Sequence, residues 1–477
     1  MEEKNFDLKS FIGFALIGGI LLYMMSQNKS IPDEIVEKQQ QKAQFEDLNI
    51  HNNSEEFDNE TVFSQQNSKL GMFKYSSEAN FETDNITVIE NKFLKLKINN
   101  KGGMLEEVKL KAFVNHDSLP IFLIKDGNSQ FNLNFTTSDN RSLNTKDLYF
   151  EPTLKNQGDL QILSMKLKVS DDKFLEYRYS LNSEDYMVGF LIKSNGLNDV
   201  FDNSKVPEFE WNLKALRQDQ SITFENRYTR LNYEHEVDKT NKLSQSGDDE
   251  DEIEDVSWIS YRQHFFSSIL VSEKPIDIAK VYSYDLVDDE TIDTTFTKKY
   301  ITKFPLVYDS GELLKDMNFY FGPTYAETLK KYNRNLENSI PFGWGIFGWI
   351  NKAVFSPLYS WLSSFLSYGI AIIVMTIMVK ILLSFVQYKQ FLSQAKMKIL
   401  KPELDALRLK YKNNKAKAQR ETMALQNKAG ASPLSGCLPG ILQIPVFYSL
   451  FMFFPIAFEL RQKPFLWVKD LLSLIHI

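Results

Sequence analysis

The run Val374–Gln387 (VMTIMVKILLSFVQ) places a single lysine, Lys380, among apolar neighbours. A lysine at the centre of a spanning helix costs about 2.5–3.5 kcal/mol. Charges kept at that cost usually face a bundle interior or a wet cavity. The chemistry available there is electrostatic, because a poorly screened cation attracts a passing carboxylate. The bland alternative is snorkelling, since the near membrane surface is roughly 10 Å away at 1.5 Å per residue. The residues alone leave the two readings level.

Other chemistry is sparse. The histidines His51, His116, His235, His264 and His476 do not fall at metal-ligand spacings, and no Ser/His/Asp signature, phosphate loop or Gly-rich dinucleotide turn is present. The acidic run GDDEDEIED, residues 247 to 255, matches no EF-hand spacing and reads as a solvated loop. The single cysteine, Cys437, excludes an internal disulfide framework. The expectation is therefore a protein that is not an enzyme, with no catalytic residue, metal or cofactor.

The elements that must position Lys380 follow from periodicity. Leu94, Leu96 and Ile98 alternate with lysines, and the pattern recurs at Phe131, Leu133 and Phe135, at Leu163, Met165, Leu167 and Val169, and at Leu175, Tyr177, Tyr179 and Leu181. Strict alternation puts one face on a core and the other in water, so residues 85–325 are expected to form an all-β sandwich. Before it, FIGFALIGGILLYMM within 11–26 lacks a small-x-small cleavage site and reads as an uncleaved anchor rather than a signal peptide. Residues 1–10 precede it, and the polar stretch 27–84 reads as a disordered tether.

After the sandwich, residues 326–366 hold a polar helical linker. They continue into an aromatic stretch with Trp344, Trp349 and Trp361, suited to a helix lying on the membrane surface; burial against the sandwich is the alternative. A spanning helix with Lys380 is expected over 367–387 and a second span over 437–458, with 459–477 beyond it.

Between the spans, 388–430 reads as a basic helical hairpin. Residues 388 to 428 carry eleven Lys or Arg against three acids, whereas the whole chain is at −7. Met397, Leu400, Leu404, Leu407 and Tyr411 form a heptad seam, which Pro402 is expected to bend, and Asn413–Asn414 mark the turn. The basic face, with Lys396, Lys398, Lys401, Arg408 and Lys410, could meet anionic lipid, ribosomal RNA or a partner protein; a solvated coiled-coil pair competes evenly with these. Short basic loops stay in the cytoplasm, which puts the hairpin inside and the sandwich outside.

Three stretches carry a family resemblance: QAKMKILKPELDALRLKYKNN, then MALQNKAGASPLSGCLPGILQIPVFYSLF, then ELRQKPFLWVKDL. With the Ser432–Pro439 segment and Gln443-x-Pro445, they resemble the YidC membrane protein insertases, in the form with a large periplasmic domain. The resemblance covers nearly the whole chain, tightly from about residue 341. It implies a helical insertase core in the inner membrane, multi-pass, with a hydrophilic groove whose cation corresponds to Lys380 and to which Thr376 and Gln443 would contribute. With the resemblance, the groove becomes the favoured reading of Lys380. The implied function is to insert and help fold membrane proteins, alone or with the Sec translocon. The implied partners are nascent membrane proteins, the Sec translocon, the ribosome, the signal recognition particle receptor and anionic lipid, with no small-molecule substrate. Two of the family's five core helices are expected here, as in a C-terminally truncated member. The alternative is a membrane-anchored periplasmic binding protein whose sandwich recognises carbohydrate or peptide; carboxylates paired in a sandwich cleft would favour it.

Charge patterning makes a topological prediction. Cysteines placed at Ser244 and Asn414 should react with an impermeant maleimide from opposite sides of the membrane, Ser244 from outside. Labelling of both from one side would overturn the charge argument.

Overall fold

The computed structural model describes residues 69–78, 85–429, 438–468 and 470–474, all within one compact unit, Phe63–Ile477. The N-terminal anchor, most of the stretch read as a tether, and the segment around Cys437 lie outside the described residues.

The alternating segments form strands. A four-stranded antiparallel sheet is built by β1 (Ile86–Glu90), β2 (Leu94–Asn99), β3 (Leu105–Val114) and β4 (Pro120–Ile124) in sequence order. The larger sheet begins with β5 (Ser129–Thr136), β6 (Ser142–Asn144), β7 (Glu151–Gln157), β8 (Leu160–Lys168), β9 (Phe174–Asn182) and β10 (Met187–Asn195). It continues with β11 (Glu208–Leu216), β12 (Arg230–His235), β13 (Lys239–Lys242), β14 (Asp249–Arg262), β15 (Phe266–Asp285), β16 (Phe296–Pro305), β17 (Tyr308–Asp309) and β18 (Glu312–Pro323). Its main path runs β6-β5-β11-β16-β15-β18-β10-β9-β8-β7, with β12, β13 and β14 extending from β15. Sequence-distant strands thus become neighbours, which no local periodicity encodes.

Leu94, Leu96, Ile98, Phe131, Leu133, Phe135, Leu163, Met165 and Leu167 are all buried in one core shared by the two sheets. Each such side chain contributes about 1.5–3 kcal/mol of transfer free energy. Aromatic rings fill the centre: Phe131 lies 5.2 Å from Phe190 and 5.8 Å from Phe209, and Trp211 stacks on Tyr261 at 4.1 Å. The turn after β2 needs glycine at Gly103 (φ +58°), where a Cβ would press on the rings of Phe150 and Tyr177. Tyr179 also donates its hydroxyl hydrogen bond to the Gly103 carbonyl at 2.7 Å.

Two expectations need correcting. The acidic run is not a loop: Asp249–Asp255 is the first half of β14, paired with β15 from Asp249↔Ser283 to Glu254↔Ile278. Ile253 is buried on one face, while Glu252 on the other meets Lys280 at 3.1 Å. Tyr233 donates to the Asp251 carboxylate at 2.5 Å. Cross-strand partners supply the stabilisation that strand propensity denies these acids. The second correction lies in the tether, where Gly71–Phe73 and α1 (Tyr75–Glu78) form helical turns. Phe73 is fully buried, edge-on to Phe135 at 5.4 Å, and the Ser76 hydroxyl accepts from the Tyr149 N–H at 2.6 Å.

Between β11 and β12 lies α2 (Ile222–Tyr228), capped by Ser221, whose side chain accepts from the Phe224 N–H. After β18 comes α3 (Ala326–Lys330); Leu329, Leu336 and Ile340 then cover a second apolar face of the large sheet at Trp258, Ile269, Val271 and Tyr320. The chain enters its helical part through α4 (Gly345–Ile350), a short π-helical stretch and α5 (Ser356–Ser363). Then follow α6 (Tyr368–Lys410), α7 (Lys415–Lys428) and α8 (Leu438–Ile456).

Burial of Phe73 makes the N-terminal segment part of the fold. Phe73→Ala should lower the stability of the sandwich by about 2–3 kcal/mol, below the usual cost of truncating a core phenylalanine because the segment can detach. Thermal denaturation checks this; an unchanged transition would return the segment to the tether.

Candidate functional site

At 1.5 Å per residue the 43-residue α6 is roughly 65 Å long, about twice a bilayer core. Its first part, Tyr368–Phe385, is the one helix among the described residues long and apolar enough to cross a membrane; in α8 the shorter apolar stretch is Gln443–Ile456. The two helices pack through Ala371 and Met375, fully buried, against a cluster that includes Val446, Leu450 and Phe453.

Lys380 lies off that seam. At about 100° per residue it is turned some 140° from Met375, and it is exposed with no hydrogen-bond or ion-pair partner among the described residues. Thr376, one turn earlier on nearly the same face, is half-buried and donates its hydroxyl hydrogen bond back to the Ile372 carbonyl at 2.8 Å. Gln443 is half-buried near the start of α8. The fold therefore brings Lys380 and Thr376 onto one face and sets Gln443 on the neighbouring helix.

The basic hairpin closes along the heptad seam. Leu404 is buried and Met397, Leu400, Leu407 and Tyr411 are half-buried, while Lys396, Lys398, Lys401 and Lys410 are exposed. Arg408 reaches Asp405 at 3.6 Å, a surface pair of small energetic weight. The turn is Tyr411–Asn414, and the Asn414 side chain accepts from the Lys417 N–H to start α7. Pro402 sits exposed inside an α6 that continues to Lys410.

In the aromatic stretch, Phe355, Tyr359 and Leu362 are buried. Tyr359 and Phe355 turn to Phe453 of α8, with ring centroids at 5.8 and 6.4 Å. Trp344, Trp349, Trp361 and Phe365 remain at least half exposed. The buried face thus meets a helix of the same helical part, and the tryptophans form an apolar exterior.

Sequence reasoning missed the joint between sandwich and helices. Just past α8, Phe458 enters a socket of Phe113, Phe265, Phe266 and Tyr325, with ring centroids 5.5–6.0 Å away. Arg461 donates to the Val114 carbonyl at 2.7 Å and lies over the Phe266 ring at 5.0 Å. His264, in the turn between β14 and β15, contacts Asp219 through Nδ1 at 2.5 Å and the Pro455 carbonyl through Nε2 at 2.7 Å. The one available signal was a lone histidine flanked by Arg262, Gln263, Phe265 and Phe266, and spacing gave it no partner.

The sandwich also has a polar cleft of about 330 Å³ lined by Ser180, Asp185, Glu273, Asn318, Tyr332 and Arg334. It does bring two carboxylates into one cleft, but each is occupied. Asp185 accepts from the Tyr332 hydroxyl at 2.7 Å; Glu273 accepts from Asn318 at 2.7 Å and from Arg334. Among the described residues no group of His, Cys, Asp and Glu is placed to hold a metal.

A β-sandwich running into a long apolar helix and a basic helical hairpin is the architecture of a membrane protein with one large extramembrane β-domain. A family model described as the YidC periplasmic domain matches residues 86–357, and one described as 60Kd inner membrane protein matches 358–474. The chain is 32% identical to the membrane protein insertase YidC of Parabacteroides distasonis, over 98% of this chain and 77% of that one. It is also 32% identical to its counterpart from Phocaeicola vulgatus, over 98% and 76%. Among solved structures, an active YidC insertase with its first transmembrane domain resolved is similar at 16% identity and a TM-score of 0.30, covering 82% of this chain and 76% of that one. The chain belongs to the YidC family of membrane protein insertases, a membrane-protein family with a periplasmic domain.

The hairpin seam is open to test. Leu404→Ala should cost about 2–3 kcal/mol at that contact. Amide exchange should then accelerate in residues 396–428 and stay unchanged in the sandwich. Unchanged exchange in the hairpin would show that the seam does not hold it closed.

Proposed function

We propose that this protein inserts integral membrane proteins into the inner membrane and assists their folding, alone or beside the Sec translocon. In this reading Lys380 is the cation of a hydrophilic groove, with Thr376 and Gln443 contributing polar groups. The observation that carries it is a lysine with no partner among the described residues, in a helix apolar enough to span. At about 4 Å and an effective dielectric constant near 20, such a charge attracts a carboxylate by about 4 kcal/mol, against about 1 in water. An acidic residue in the segment being translocated would be drawn into the groove, and its apolar part would pass into lipid.

The remaining parts take supporting roles. The exposed tryptophans suit a surface helix at headgroup level. The hairpin's lysines, kept off its own seam, are free to meet the ribosome, the signal recognition particle receptor or anionic lipid. In this reading the hairpin lies in the cytoplasm, the sandwich in the periplasm, and the chain crosses the membrane more than once, which the charge pattern supports. The sandwich as a carbohydrate- or peptide-binding module is the weaker reading, because the carboxylates in its cleft are already bonded.

The test is an insertion assay in which this protein is the sole insertase. Lys380→Arg should preserve insertion, whereas Lys380→Ala should impair substrates with acidic translocated tails tenfold or more, corresponding to at least about 1.4 kcal/mol. Substrates with neutral tails should pass the alanine variant nearly unchanged. Lys380→Glu should be worse than alanine for acidic tails. Equal handling of acidic and neutral tails by wild type and alanine variant would end the groove-cation reading.

A further inference from the structure

Two turns of this chain sit together at the N-terminal end of α6. The first is Phe465–Val468, closed by a pair of backbone bonds at 2.9 and 3.0 Å. It lies against the start of α6: the Phe465 ring fills the space that a Cβ at Gly369 would need, and the Lys463 ammonium lies over the Tyr368 ring at 5.0 Å. The second is the turn between β3 and β4, where the Asn115 side chain accepts from the Asp117 and Leu119 N–H groups, both at 3.0 Å. Arg461 and Gln462 tie the two together, Gln462 by bonds to the Val114 and Asn115 carbonyls at 2.9 Å. One turn of the sandwich is thereby held beside the residues where α6 begins.

Both tips are apolar and exposed. Leu119 is 58% exposed, Leu466 75% and Trp467 86%. Leu466 also lies in the left-handed region, at φ +53°, where a two-residue turn favours Gly, Asn or Asp. A turn that only reversed the chain in water would gain nothing from either Leu466 or Trp467. The tips continue an apolar exterior, since Ile370, Ile373 and Ile377 are exposed on α6 just beyond Tyr368. That stretch, apolar enough to cross a membrane, begins at Tyr368. Residues beside Tyr368 would then fall in the headgroup layer, about 5–8 Å deep on each side of the hydrocarbon. An indole at that depth keeps its ring at the apolar boundary and its N–H near water.

We propose that these two turns enter the outer headgroup layer together, so that the sandwich itself rests on lipid beside α6 through Leu119, Leu466 and Trp467. The inference rests on the topology proposed above, in which α6 spans the membrane from outside to inside. The occupant of this surface is the bilayer. Three side chains on two convex tips offer less than the roughly 800 Å² per partner of a standard protein interface. They suit shallow insertion of about 5–10 Å at the boundary between headgroups and acyl chains. Their continuity with the exposed isoleucines of α6 places lipid on both sides of the join.

The experiment uses the whole chain in nanodiscs of phosphatidylethanolamine and phosphatidylglycerol, with Cys437→Ser and one nitroxide label at a time. Labels go on Leu119→Cys and Trp467→Cys, and on Ile373→Cys within the spanning stretch. The reference is Lys101→Cys, exposed beyond the far end of β3 and roughly 30 Å from Val114. Power saturation reports collisions with oxygen, which partitions into lipid, and with a nickel chelate, which stays in water. The Ile373 label should favour oxygen and the Lys101 label nickel. The Leu119 and Trp467 labels should stand between them, with several-fold less nickel contact than Lys101. If both are as open to nickel as Lys101 while Ile373 lies in lipid, the proposal is overturned and the topology stands. Labels shielded from both reagents would also overturn it, in favour of a protein cover. Nickel contact at Ile373 would overturn the spanning reading and this proposal together.

Discussion

A helix that ends at a sheet must hand over its unpaired carbonyls and its apolar surface within a few residues, and this constraint organises the joint on which the molecule depends. At the end of α8, Pro455 leaves a carbonyl for His264, Phe458 fills an aromatic socket, and Arg461 bonds the end of β3. Gln462 extends the seal with bonds to the Val114 and Asn115 carbonyls, both at 2.9 Å. Without these partners several polar groups would be buried unpaired, each at a cost of about 1–3 kcal/mol. The sandwich and the helical part therefore meet as one surface rather than as beads on a linker. The linker adds to this: Leu329, Leu336 and Ile340 cover an apolar face of the large sheet before the chain reaches α4.

Polar economy of the opposite kind governs α6. Its buried seam uses small or flexible residues, Ala371 and Met375, and its charge is kept off that seam. The same helix then changes character: beyond Phe385 it exposes lysines such as Lys396, Lys398 and Lys401 and buries Leu404. This change of side-chain character along one continuous helix needs no break in the backbone. Pro402 is tolerated on the exposed side, where water can take up the freed carbonyl.

Much of this was legible in the sequence because it is local. Alternation at Leu94–Ile98 or Leu175–Leu181 reports a half-buried strand wherever the strand sits, and the spacing from Met397 to Tyr411 reports a seam within one hairpin. The acidic half of β14 was misread because its support lies in β15 and in Tyr233, and composition alone reads such a run as solvated. Phe73 was missed because one aromatic in a polar stretch carries no period. The resemblance to a known family supplied Thr376 and Gln443 as candidates; periodicity singled out neither.

His264 shows where local reasoning stops. A lone histidine is chemically ambiguous until its two nitrogens have named partners, and here both partners are remote, at 45 and 191 positions along the chain. Once they are named, its place is constrained: one imidazole bridges Asp219 and the Pro455 carbonyl. Those two contacts tie the end of α8 to an acid on the sandwich. The sandwich, whose strands could have been a passive appendage, then becomes part of what determines where α8 ends.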